Sequence, residues 1–234
     1  MHMNKLLVAA LATIFALPAL AEDSPFSSNV TLTTNYLYRG VTQTADRGAI
    51  QGGFDYAHES GAYVGVWASN ISWLTDSGAY TDGASLELDT YAGYSGEAGD
   101  VSYDVGFLRY NYSGGIATGS VSANTNEIYG SIGYKWVSAK YSRSLGNLFG
   151  VADSKGSSYL EVNGSYDVEA AGISLGAHIG KQKVAGAANS GLTYKDYNVS
   201  VSKSIGGYDF GLLVNKTDVT GDKTRYVLSV SHSM

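Results

Sequence analysis

Glu161-Val162-Asn163-Gly164-Ser165-Tyr166-Asp167-Val168 sets the pattern of this chain, apolar side chains taking turns with polar residues or glycine. Ile173-Ser174-Leu175-Gly176-Ala177-His178-Ile179-Gly180 and Tyr226-Val227-Leu228-Ser229-Val230-Ser231 repeat it. Successive side chains of a strand point to opposite faces, so a period of two marks strands with one apolar and one polar face. Between Ser27 and Met234 such runs recur about twelve times, each roughly ten residues long. Runs of this length and number fit an all-β fold: a single antiparallel transmembrane β-barrel of about 12 strands, with short periplasmic turns and longer extracellular loops.

The start of the chain has the form of an export signal. Lys5 supplies a positive n-region, Leu6 to Leu17 an apolar core, and Pro18-Ala19-Leu20-Ala21 a small-residue cleavage site. Residues 1–21 are therefore read as a cleaved signal and 22–234 as one barrel domain in the outer membrane of a Gram-negative bacterium. The apolar core is shorter than the roughly 20 residues a spanning helix needs. Hydrophobic residues make up 44% of the chain, yet mean hydropathy is only -0.07, so apolar and polar residues must be interleaved. A barrel requires that interleaving, and a helical membrane protein excludes it.

Without the signal, 14 basic residues face 21 acidic ones, a net charge of -7. An acidic chain with no basic stripe argues against nucleic-acid binding. The absence of cysteine excludes disulfide frameworks and thiolate metal sites. Both prolines lie at or near the signal, so none interrupts a strand. No cofactor motif is present. Nineteen tyrosines suit membrane interfaces, where the ring meets lipid and the hydroxyl meets water.

Strands are expected at 28–41, 47–58, 62–73, 84–96, 101–113, 125–135, 137–146, 157–168, 172–184, 192–205, 208–218 and 222–233. The connections sort by parity. Odd ones, beginning with Thr42–Asp46, are mostly long, and even ones such as Glu59-Ser60-Gly61 and Gly206-Gly207 are tight. A barrel with both termini in the periplasm gives that alternation. Leu86, Leu88, Leu160, Val162, Leu175, Ile179, Val199, Phe210, Leu212 and Leu228 fall on the lipid face. A charge there costs about 2–4 kcal/mol for Lys or Arg at mid-depth. That penalty assigns Asp55, Glu87, Asp89, Glu161, Asp167, His178, Asp196, Asp209 and Arg225 to the lumen. Lys140, Arg143 and Lys183 are placed on the same side. In 101–113 the apolar residues change face at Leu108, which points to a bulge or a rim crossing.

Asn35-Tyr36-Leu37-Tyr38-Arg39-Gly40-Val41-Thr42-Gln43-Thr44 and Ala49-Ile50-Gln51-Gly52-Gly53-Phe54-Asp55-Tyr56 are the most distinctive wording of the chain. With Tyr63-Val64-Gly65-Val66-Trp67 and Leu86-Glu87-Leu88-Asp89-Thr90-Tyr91, they resemble the TorF-family porins, a proteobacterial group also labelled Gcw_chp, of unknown function. The resemblance implies an outer-membrane barrel and a pore for small hydrophilic solutes. It brings no substrate and no catalytic residue. It also implies partners in the barrel-assembly machinery, outer-membrane lipids and lipopolysaccharide. The ending His232-Ser233-Met234 departs from the aromatic terminus usual in such barrels.

Arg39 is read as a lumen arginine paired with a carboxylate such as Asp55, either tuning selectivity or making a structural ion pair. The acidic lumen favours cations. Tyr36, Tyr38, Trp73, Tyr110, Tyr112, Trp136, Tyr141, Tyr166, Tyr208 and Tyr226 are expected in aromatic girdles. His58 and Ser60 have the residue types of acyl-transfer chemistry. They sit in a tight turn, so turn formation is the better reading. His178 lacks a second ligand at metal spacing. A structural or adhesion barrel without an open pore is the alternative function.

Overall fold

The computed structural model of the protein describes residues 24–81 and 83–234; the signal read at 1–21 lies outside the described residues. The alternating runs become barrel strands β1 (Phe26–Thr33), β4 (Ala49–Ala57), β5 (Ala62–Asn70), β6 (Leu86–Ala98), β7 (Val101–Tyr112) and β8 (Thr125–Tyr134). β9 (Val137–Ser144), β10 (Ser158–Val168), β11 (Ile173–Lys183), β12 (Tyr194–Ile205), β13 (Tyr208–Thr217) and β14 (Arg225–Ser233) complete the ring. All neighbours are antiparallel, and β1 closes the barrel against β14, from Asn29 opposite Ser233 to Thr33 opposite Ser229. The backbones of Met234 and Ser28 exchange two hydrogen bonds of 2.8 Å, extending that seam to the last residue.

Long loops L1 (34–48), L2 (71–85), L3 (113–124), L4 (145–157), L5 (184–193) and L6 (218–224) gather at one end. The other end carries tight turns, with left-handed glycines at Gly61, Gly99, Gly172, Gly206 and Gly207. L2 includes one helical turn, α1 (Trp73–Asp76).

Burial is inverted relative to a protein folded around an oily centre. Val64, Leu88, Val105, Ile132, Leu160, Val199 and Leu228 lie exposed on the outside, while Glu87, Asp89, Glu127, Asp196 and Asn215 are almost wholly buried. Every Asp and Glu within the barrel strands points inward. The ladder between β6 and β7 runs unbroken from Glu87–Tyr112 to Ala98–Val101. There is thus no bulge in 101–113. Val101, Val105, Phe107 and Arg109 face outward, and Leu108, Tyr110 and Tyr112 face inward under the loops.

The first expected strand needs correction. β1 ends at Thr33, not 41, and residues 34–48 form an inward-folded loop. Within it a small hairpin pairs β2 (Leu37–Tyr38) with β3 (Val41–Thr42).

Candidate functional site

The L1 hairpin enters the barrel and is held there by groups from six strands. Its turn is Arg39-Gly40, both at positive φ (46° and 79°). Gly40 is required by space as well as by φ, since a Cβ there would lie 2.4 Å from Asp196 Cβ. Asn215 on β13 donates its Nδ2 to the Gly40 carbonyl (2.9 Å). Tyr36 donates its hydroxyl to Glu87 on β6 (2.6 Å), and the Tyr38 hydroxyl meets that of Tyr110 on β7 (2.6 Å). At the base of the loop, Thr44 Oγ1 accepts the Tyr36 N–H and donates to the Arg47 carbonyl.

Arg39 is the centre of the seat. Its Nη2 and Nη1 donate to the two carboxylate oxygens of Glu127 on β8 (2.7 and 3.1 Å), and Nη1 also donates to Gln182 Oε1 on β11 (2.8 Å). The guanidinium lies 4.8 Å from the Tyr38 ring centre and 4.5 Å from that of Tyr159 on β10. Side-chain exposure is 4% for Arg39 and 2% for Glu127, so the pair is shielded from water. A planar fork matched to a carboxylate is what Arg supplies and Lys does not.

Tyr159 links this seat to a second network. Its hydroxyl reaches both oxygens of Asp196 (3.0 Å each), and Asp196 Oδ2 also contacts His178 Nε2 (2.7 Å). His178 Nδ1 meets Asn163 Oδ1 (2.6 Å), and Asn163 donates to Glu161 (3.1 Å). Nearer the turn end, Tyr91 donates to Asp55 (2.5 Å) and Tyr63 to Asp104 (2.6 Å), while Lys140 sits over the Tyr129 ring.

The interior is therefore lopsided. Between β4 and β8, the side chains of Tyr63, Trp67, Tyr91, Leu108, Tyr110 and Tyr129 join Leu74 and Tyr80 of L2 and Tyr36 of L1 in one packed cluster. In the half toward the tight turns, the inward positions of β11, β12 and β14 are small: Ser174, Gly176, Ser200, Ser202, Ser229 and Ser231. Bulk crowds one wall and leaves the other low and polar.

All the lumen candidates face the interior, but their partners differ from expectation. Arg39 pairs with Glu127, not Asp55, whose partner is Tyr91. Asp167 and Asp209 bond Ser174 and Ser204 near the turn end. Arg225 lies at the loop-end rim, bonded to Asp46 and Asp222. The hydrogen bond from Lys223, followed by that from Arg225, holds the Asp46 carboxyl below the usual carboxylate range.

Lys140 faces inward, whereas Arg143 and Lys183 face outward. Trp136, Tyr141, Tyr166, Tyr208 and Tyr226 are exposed on the outside. Tyr36, Tyr38, Tyr110 and Tyr112 are not girdle residues: they pack in or over the interior, and Trp73 of L2 meets Tyr112 edge to face. Glu127, Gln182, Asn215 and Tyr159 complete the seat without having been singled out in sequence. Their inward register was readable, but their convergence on a loop far away in sequence was not.

His58 Nδ1 lies 2.9 Å from Ser60 Oγ and also accepts the Ser60 N–H (3.1 Å). Both residues are exposed in the turn. Among the described residues, no carboxylate orients His58, and no cluster of His, Asp and Glu has the spacing to hold a metal.

Residues 20–233 match the family described as a bacterial protein of unknown function (Gcw_chp). The chain belongs to that family. Among solved structures, this Gcw_chp barrel resembles the KdgM porin (TM-score 0.56, 13% identity, 89% of this chain and 99% of that one). It also resembles a KdgM porin in complex with disordered oligogalacturonate (TM-score 0.55, 11% identity, 89% and 98%). Both likenesses concern the fold. No curated protein matches the Gcw_chp sequence.

Proposed function

We propose that this Gcw_chp protein is an outer-membrane channel of the TorF-porin type, exported by the signal at residues 1–21, through which small hydrophilic solutes diffuse. The observation that carries the proposal is the inversion of burial. A band of Leu, Val, Ile and Phe covers the outside, and every Asp and Glu of the strands lies within. Only an apolar solvent makes that arrangement favourable, since apolar surface left in water is costly and buried charge needs partners. A closed ring also leaves no unpaired backbone edge, as a bilayer demands.

Solutes would pass along the serine-lined wall, beside the L1 hairpin. Twelve strands fall between the side-chain-filled eight-stranded barrels and the open 16–18-stranded porins, so one inserted hairpin narrows the path strongly. Inward carboxylates outnumber Lys140, Arg39 and Arg225, which favours cations and disfavours a polyanion such as the oligogalacturonate named with KdgM. The protein purified from membranes should give stepwise conductance in planar bilayers. A folded barrel that stays silent at every voltage would instead support the structural or adhesion reading, which the buried Arg39 seat favours.

A further inference from the structure

The charge on the outward face of the barrel strands is of one sign, and most of it lies at one end and on one side. Arg143 on β9, Lys181 and Lys183 on β11, Lys195 on β12 and Lys216 on β13 all point outward, all are exposed, and all lie at the loop end. The outward positions of β1, β4, β5, β6, β8, β10 and β14 carry no Asp, Glu, Lys or Arg; the two further outward charges are Arg109 on β7, which donates to Asn111 and Asn126, and Lys203 at the turn end of β12, which donates to the Ala171 carbonyl. Lysines that merely reach for an interface would be spread around the ring. Five of the seven outward basic residues of the strands are gathered at the loop end of one arc.

The register sharpens the point. Lys181 stands directly opposite Lys195, and Ser158 on β10 pairs with both Arg143 and Lys183. Like charges facing each other across a ladder are destabilising unless an anion lies between them. Among the described residues, neither Lys181, Lys183, Lys195 nor Arg143 makes an ion pair. The nearest carboxylate contact is that of Asp218, which accepts the Lys195 backbone N–H (2.7 Å), and Lys216 donates to the Asp222 carbonyl. Just below the basic row, toward mid-barrel, Leu160, Ile179 and Tyr197 are exposed and apolar.

From this juxtaposition we infer that the β9–β13 face at the loop end binds the phosphate groups of an anionic glycolipid of the outer leaflet, with its acyl chains on the apolar surface below. The inference rests on the outer-membrane reading above. Ammonium groups are compact point charges that suit phosphate oxygens, and several acting together at a membrane surface add their attractions.

Native mass spectrometry of the refolded full chain in detergent tests it, with bisphosphorylated lipid A as the probe. The same glycolipid stripped of phosphate and phosphatidylethanolamine serve as comparators. The expected result is an adduct with lipid A at least about fivefold more abundant than with either comparator. Lys181→Gln/Lys183→Gln/Lys195→Gln should cut that adduct about tenfold while heat-modifiable mobility and circular dichroism stay unchanged. Equal adducts with the stripped glycolipid, or undiminished binding by the folded variant, would overturn the site. So would a dimer of this chain that forms over the face and disappears in the variant. A chain soluble without detergent would sink the membrane reading itself, whereas an inserted chain indifferent to phosphate sinks this inference alone.

Discussion

Arg39 concentrates the chemistry of the interior in one side chain. Removing one member of a shielded ion pair strands the other, at a cost of about 3–5 kcal/mol. Arg39→Ala should therefore unseat the hairpin rather than unfold the barrel, because the strand ladders do not depend on it. Cleavage of L1 by protease in detergent should accelerate by at least tenfold, and channel openings should become larger. Adding Glu127→Ala removes the stranded carboxylate and should restore part of the lost stability in urea melts. If the double variant is no more stable than the single one, Glu127 is not the charge that Arg39 neutralises. Gly40→Ala provides an independent check with the ion pair intact. Its Cβ meets Asp196 and its φ becomes strained, so it too should expose L1 to protease.

The L1 loop is also fastened from above, by a clasp at its base. Lys223 of L6 and Arg225 at the start of β14 both hold Asp46 (2.8 Å each). Because the folded Asp46 carboxyl sits below the ordinary value of about 4, the clasp holds in full above that pH and is lost as pH falls through the depressed value. L1 protection from protease or hydrogen exchange should thus stay flat from pH 7 to about 5 and drop only below about 4; Asp46→Asn should show the acid behaviour at neutral pH. This loop is the part of the fold the sequence conceals. Tyr36, Tyr38 and their neighbours continue the alternation of β1, so nothing local ends the strand at Thr33. What turns the chain inward is Glu127, 88 residues beyond Arg39, together with Gln182 and Asn215. Elsewhere period two sufficed, and eleven strand positions were legible to within a few residues. Arg143 and Lys183 were legible as well: parity with Tyr141 and Ile179 puts them outside, although charge alone suggests the lumen.

Across the barrel strands, charge is sorted by side: carboxylates inside, bare apolar surface on most of the outside, and most outward basic residues on one arc. A barrel with net negative walls concentrates cations, and the effect reaches only about one Debye length from the wall. That length is about 10 Å at 0.1 M salt and 3 Å at 1 M. Reversal potentials in planar bilayers under a KCl gradient should therefore show potassium preferred over chloride at 0.1 M, with the preference shrinking toward 1 M. Asp167 and Asp209 lie near the turn-end mouth, away from the Arg39 seat, so Asp167→Asn/Asp209→Asn should leave the hairpin undisturbed. The same variant should lower the potassium-to-chloride ratio roughly twofold at 0.1 M, with little change in single-channel conductance at 1 M. Anion preference in the native protein would mean that Lys140, Arg39 and Arg225 outweigh the carboxylates along the path that ions take. The route would then have to run beside Lys140 on the aromatic wall, and Lys140→Gln rather than the aspartate pair would be the substitution that shifts the potential.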